Sequence, residues 1–252
     1  MNYKLAQEFD ETVENGLYWT DGGKIYFRHY EIKGADIETF LQSHTLWAMD
    51  KNHCYLGADK IKEADIKTFQ ALNFTYAKDK FNVWTLGGKI KDVDAETFEV
   101  CDSGKYSLGN NLRKGKKYES FVPYGFGKDK NNVYHYDFSG KPNIVKNALP
   151  NTFVSIGDCV YGYDENNVYY KQNTLQKANP KTWKKFKDDY FYSIDKKVYY
   201  FNRIIKEADL ETFEIVEKKV ELGKPFQYAK DKNNYYWNDR IITKEEFEEY
   251  IN

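Results

Sequence analysis

The chain has 252 residues, with 38 Lys and Arg against 39 Asp and Glu for a formal net charge of −1, and an aromatic fraction of 18%. Such a length supports a substantial core without disulfides or structural metals. Charge scattered along the whole chain argues against a basic footprint for nucleic acid or an anionic membrane. Cys54, Cys101 and Cys159 form no even set and no CxxC pair, which points to a reducing compartment. The N-terminus lacks the apolar stretch of a signal peptide and no window is long enough to span a bilayer, so a cytoplasmic protein without membrane insertion is expected.

Residues 1–16 carry Leu5, Phe9 and Val13 at intervals of four, a stripe that predicts a capping helix stopped near Asn15-Gly16. From residue 17 to 252 one phrase returns roughly every thirty residues, so this stretch is predicted to be a single β-repeat domain of seven units. Each unit opens on an Asp: Asp50, Asp79, Asp129, Asp164, Asp195 and Asp231, with a worn version at Asp21. In segments such as Asp129-Lys-Asn-Asn132, Asp bonds to amides two residues on and Asn tolerates the left-handed region, which is turn chemistry. The strand that follows is β-branched and aromatic, as in Val83-Trp84-Thr85, Val133-Tyr134-His135 or Val198-Tyr199-Tyr200. A second reversal then leads into Lys89-Ile90-Lys91 or Ile204-Ile205-Lys206, giving a three-stranded meander with one face inside and one face wet.

Next comes Ala-Asp-x-x-Thr or a variant of it, followed by an aromatic that Thr precedes in six of the seven units, while Phe247 follows Glu246. Asp36, Asp65, Asp94 and Asp209, with Asn179 in the same role, are predicted N-caps of a single helical turn, whereas Leu149-Pro150-Asn151-Thr152 lacks the acid. The turn swings a ring under the sheet: Phe40, Phe69, Phe98, Phe153, Trp183, Phe213 and Phe247 are the predicted core rivets. Their spacings are 29, 29, 55, 30, 30 and 34 residues, so one large excess falls between Phe98 and Phe153. The excess is an insertion at about residues 102–123. A smaller one enlarges the hairpin at Tyr136–Pro142. The insertion brings together Tyr106, Arg113, Lys114, Lys116, Lys117 and Tyr118, and irregular loops on a rigid repeat commonly carry binding, so these six are the candidate binding residues. At the end of the chain Thr243 and Glu246 form a capping box for a helix over 243–251.

These elements predict an all-β open, curved array of seven three-stranded units with short capping helices. The alternative is a seven-bladed propeller, although propeller blades usually carry four strands in more than about forty residues. The phrases at 129–134, 164–170 and 231–236, together with the Ala-Asp-x-x-Thr-Phe that returns along the chain, resemble the DKNYY family of bacterial repeat proteins, and the likeness runs from about residue 18 to 242. The resemblance implies bacterial origin and a repeat architecture, and it brings no catalytic residues with it.

The chemistry that the residues could support is sparse. The Asp-Lys-Asn-Asn turn offers one carboxylate where calcium takes six to eight oxygens, and His29, His44, His53 and His135 lie in separate segments without ligand spacing. Gly125-Phe126-Gly127-Lys128 has the glycines of a phosphate loop without its flanking Gly and Ser/Thr. No nucleophile–base signature occurs, so no catalytic residue, metal or cofactor is expected. The expected function is a non-enzymatic scaffold that binds another protein, in its specific form a bacterial immunity protein against a cognate toxin. The alternative is an envelope-associated glycan-binding module that uses the tyrosines as stacking platforms.

Overall fold

The computed structural model describes residues 4–5, 17–43, 45–113, 116–186, 191–216 and 227–251. The chain divides into two compact units, one of Met1–Tyr106 with Pro123–Ile144 and one of Ser107–Val122 with Val145–Asn252. Both are built from small antiparallel sheets that follow the repeat.

The third repeat shows the plan. Gln70–Ala71, Ala77–Lys78, Val83–Thr85 and Gly88–Lys89 pair in sequence order as a four-stranded meander. The first repeat keeps three strands, Tyr18–Thr20, Ile25–Phe27 and Tyr30–Glu31. The other six sheets gain a short strand from the residues just after a rivet, such as Leu41–Gln42, Glu99–Val100 or Glu214–Val216. The three-stranded expectation ended each repeat at its ring. In the folded chain the residues beyond the ring are extended and pair with the next first strand, Glu99 with Lys128 and Val100 with Gly127.

This pairing lays the ring across the middle of that strand, where the sequence holds a small residue: Ala48, Ala77, Gly127, Gly162, Ser193 or Ala229. A Cβ on Gly127 would stand 2.4 Å from the Phe98 ring, and one on Gly162 would stand 2.4 Å from Phe153. Six of the seven rivets are buried, and Trp183 is half-buried.

Neighbouring repeats share their cores. One cluster joins Tyr18, Ile25, Ile32 and Phe40 of the first repeat to Ala48 and Tyr55 of the second. Tyr192, Val198, Ile205 and Phe213 meet Ala229 and Tyr236 in the same way. The second strands of the five inner repeats consequently bury adjacent residues on both faces, whereas those of the first and last repeats stay partly exposed. Val168 and Tyr169 are adjacent, point to opposite sides of the sheet, and both have 0% exposure. The expected wet face is therefore absent from these strands, because the next repeat covers it.

The ends differ. Within 1–16, where a capping helix is expected, Lys4–Leu5 form an edge strand against Leu41–Gln42. Leu5 therefore leaves the predicted helical stripe, and the remainder of that segment lies outside the described residues. The C-terminal helix Lys244–Ile251 forms as expected. Its capping box is complete, with Thr243 N–H donating to Glu246 Oε2 (2.8 Å) and Glu246 N–H to Thr243 Oγ1 (3.1 Å). Phe247 packs on Tyr235 at 4.6 Å between ring centroids.

Candidate binding surface

The recurring polar residues are consumed by the fold. The turn carboxylate of Asp129 accepts from the amides of Asn131 and Asn132 through Oδ1 (2.8 and 2.7 Å). Its Oδ2 accepts from the Tyr134 hydroxyl (2.9 Å) and from the amide of Asp94 (2.8 Å), the cap of the preceding helical turn. Asp94 in turn accepts from the Thr97 amide and hydroxyl, both at 2.9 Å. Lys130 closes the clasp, its ammonium 2.6 Å from Asp94 and its amide donating to Thr97 Oγ1 (3.1 Å). The same Asp–Lys to Asp–x–x–Thr clasp joins Asp50–Lys51 to Asp36, Asp79–Lys80 to Asp65, and Asp231–Lys232 to Asp209.

Its electrostatics follow from this wiring. Lys130, Thr97 and the local amides hold the Asp94 carboxyl down at about 2. Burial pushes Asp50 upward, but the Tyr55 hydroxyl and three amides outweigh it and leave the group below its usual range. Burial and the facing carboxylates raise the hydroxyls of Tyr55, Tyr134, Tyr169 and Tyr236 well above their ordinary value. Burial likewise pushes the thiols of Cys54 and Cys101 up to about 12, far from reactive thiolates. Each half of the clasp is legible alone, as a turn and as a cap. Their union is not, although the chain holds a clue: where Leu149 replaces the cap acid, Glu165 replaces the turn lysine.

A second set of bonds ties one repeat to the next. First-strand tyrosines donate to backbone carbonyls of the following repeat: Tyr18 to Gly57 (3.1 Å), Tyr161 to Phe201 (3.3 Å) and Tyr192 to Asn238 (2.8 Å). In the second repeat Trp47 stands at this position. It is fully buried, and its Nε1–H has no acceptor among the described residues.

The insertion is a hairpin of strands Lys105–Arg113 and Lys116–Pro123, far longer than the two to four residues of the other strands. Its root is pinned on several sides. Asp102 accepts from the amides of Gly104 and Phe126 (both 2.9 Å), Thr75 Oγ1 donates to Gly104 O (2.7 Å), and Asn73 Nδ2 donates to Asp102 O (3.0 Å). Tyr106 stacks on Tyr124 (5.1 Å, 30°), and buried His135 sits between Tyr124 and Phe126 at 6.1 and 4.5 Å. Of the six residues expected to bind, Tyr106 is thus part of this root. Lys114 lies outside the described residues, as do the side chains of Arg113, Lys116, Lys117 and Tyr118.

Two cavities within the first compact unit escaped the sequence reading. One of about 280 Å³ is lined by Trp47, Trp84, Lys60, Lys62, Glu63 and Lys89. The other, about 270 Å³, is lined by Lys89, Lys91, Tyr134, Lys141, Pro142 and Ile144. The two share Lys89. Among the described residues no three His, Cys, Asp or Glu side chains group as metal ligands, and no helix is long and apolar enough to cross a membrane.

A core shared between neighbours, a clasp repeated through the chain and a single long inserted hairpin define an all-β repeat scaffold. The family model for the DKNYY family matches residues 47–202 and 191–252, so this chain belongs to the DKNYY family. Neither curated proteins nor solved structures give a match.

Proposed function

We propose that this chain is a non-enzymatic scaffold that binds another protein, in its specific form a cytoplasmic immunity protein that blocks a cognate bacterial toxin. The observation that carries the reading is the contrast between repeat and exception. The recurring Asp, Thr and Tyr side chains are engaged in clasps and ties, while the one eccentric segment is a long hairpin on a root bonded to Asn73, Thr75 and Asp102. That hairpin pairs with no further strand among the described residues, so its edges suit strand addition by a partner. The glycan-binding alternative asks for open ring faces, and the first- and second-strand tyrosines such as Tyr18, Tyr76, Tyr169 and Tyr199 are fully buried.

The test is size-exclusion chromatography of this protein mixed with the product of the neighbouring gene. A stable complex is expected, and it weakens when Arg113, Lys114, Lys116 and Lys117 are all changed to Glu while the melting temperature holds. No complex with the wild-type chain counts against the scaffold reading. An unaltered complex with the quadruple variant places the interface away from the hairpin. Pelleting with peptidoglycan in place of complex formation would favour the glycan-binding alternative.

A further inference from the structure

We infer that the two cavities of the second to fourth repeats, which share Lys89, form a groove for an acidic, extended segment of a partner protein. This rests on the protein-binding reading and assigns it a second contact surface. The groove follows the third strands and the turns after them, at residues 59–63, 88–92 and 141–144, all within the first compact unit.

Three features distinguish it from the rest of the surface. The first is its charge. Lys60, Lys62, Lys89, Lys91 and Lys141 line the cavities beside Asp59, Glu63 and Asp92. Elsewhere in this compact unit Lys51, Lys80 and Lys130 are each paired within a clasp. Lys62, Lys91 and Lys141 have no ion-pair partner among the described residues, while Lys89 pairs with Glu63. Five lysines against three carboxylates leave the lining net positive, which raises the local concentration of an acidic ligand.

The second feature is a departure from the repeat. Trp47 stands where other repeats place the tyrosine that reaches the next one, and Trp84 stands where they place the tyrosine that bonds the turn Asp. Both tryptophans line the same cavity, so the usual tie is replaced by a space. Trp47 Nε1–H is a buried donor with no acceptor among the described residues, so the departure from the usual tie is left uncompensated.

The third feature is the apolar floor. Ile61 and Leu56 in one cavity, and Ile90, Pro142 and Ile144 in the other, line them together with the lysines. An extended peptide places successive side chains on opposite sides, so glutamates can meet lysines while alternate apolar residues meet the floor. Single-stranded nucleic acid would instead need open aromatic faces for stacking, and Trp47 and Trp84 present only 0% and 5% of their surface.

The experiment is fluorescence polarisation of the full chain with a labelled peptide of about ten alternating Glu and Leu residues at low salt. Saturable binding is expected with Kd on the order of 100 µM, lost at about 0.5 M salt. The K62Q/K91Q/K141Q variant should bind at least about fivefold more weakly, with unchanged melting. The variant K67Q/K177Q/K206Q removes the same charge from exposed lysines elsewhere and should stay within about twofold of wild type. Undetectable peptide binding, equal loss in both variants, or equally tight binding of a thymidine oligonucleotide would overturn the groove. A partner complex that forms with full affinity in the K62Q/K91Q/K141Q variant would also overturn it while leaving the scaffold reading intact.

Discussion

Replacing Asp50 by alanine tests whether the clasp, and not only the ring packing, holds the repeats in place. Asp50 is 2% exposed and accepts four hydrogen bonds, from the amides of Asn52 and His53 (both 2.7 Å), the amide of Asp36 (2.9 Å) and the hydroxyl of Tyr55 (2.6 Å). A hydrogen bond to a charged acceptor contributes about 1.5–3 kcal/mol. The Asn52 and His53 amides belong to a turn with exposed or half-exposed residues, where water can replace the carboxylate. The Tyr55 hydroxyl sits on a fully buried ring and has no such recourse. The expected loss is therefore about 3–5 kcal/mol, less than the sum of four bonds. At about 2–4 °C per kcal/mol for a chain of this size, the melting temperature falls by roughly 6–20 °C. Asp50→Asn, which keeps one acceptor but turns an amide toward the donors, should fall between Asp50→Ala and wild type. Asp59→Ala, on an exposed residue whose side chain has no hydrogen bond among the described residues, should change stability by less than about 0.5 kcal/mol. Thermal melts followed by near-ultraviolet circular dichroism decide the matter. A drop of under about 3 °C for Asp50→Ala, or one equal to that of Asp59→Ala, would refute the clasp as a source of stability.

Gly127→Ala is expected to cost about 1–3 kcal/mol in denaturant unfolding, because its Cβ would meet the Phe98 ring at 2.4 Å, whereas Phe98→Ala should cost about 3–5 kcal/mol. A neutral Gly127→Ala would mean the ring does not rest on that strand. Acid should destabilise in a defined window. The folded Asp50, Asp94 and Asp231 carboxyls lie below the ordinary aspartate value of 3.8, so the unfolded chain binds more protons in acid. Their contribution is complete above that value and lost as pH falls toward the value of about 2 of Asp94, which melting curves across this range will show. Alkali acts with the opposite sign. Tyr134, Tyr169 and Tyr236 are raised above 10.0 by burial and by their partner carboxylates, so their stabilisation is full below that pH and is lost as pH climbs past it. Ultraviolet titration should show a class of tyrosines that ionises only with unfolding. Reversible titration of all 23 near pH 10.0 would contradict this.

The sequence carried what is local and periodic. The turn at Asp129-Lys-Asn-Asn, the cap at Asp94 and the ring at Phe98 could each be read from a few neighbours, since hydrogen bonds two or three residues apart leave fixed spacings. The return of those spacings fixed the repeat and, through it, the all-β class and the rivets. Tertiary structure decided what the pieces do to one another. It joined Asp65 to Asp79 across 14 positions and Asp94 to Asp129 across 35, the same clasp over two separations, with the insertion standing between the second pair. It also covered both faces of the inner second strands, which no alternation in Val168-Tyr169 could announce, because the second layer is a neighbouring repeat. The two cavities, one lined by Trp47 and Trp84 and both by lysines, lie where consecutive repeats meet, so their residues are far apart in the chain and share no motif. Spacing encodes a bond within a turn; a surface shared by two turns is set by the packing that brings them together.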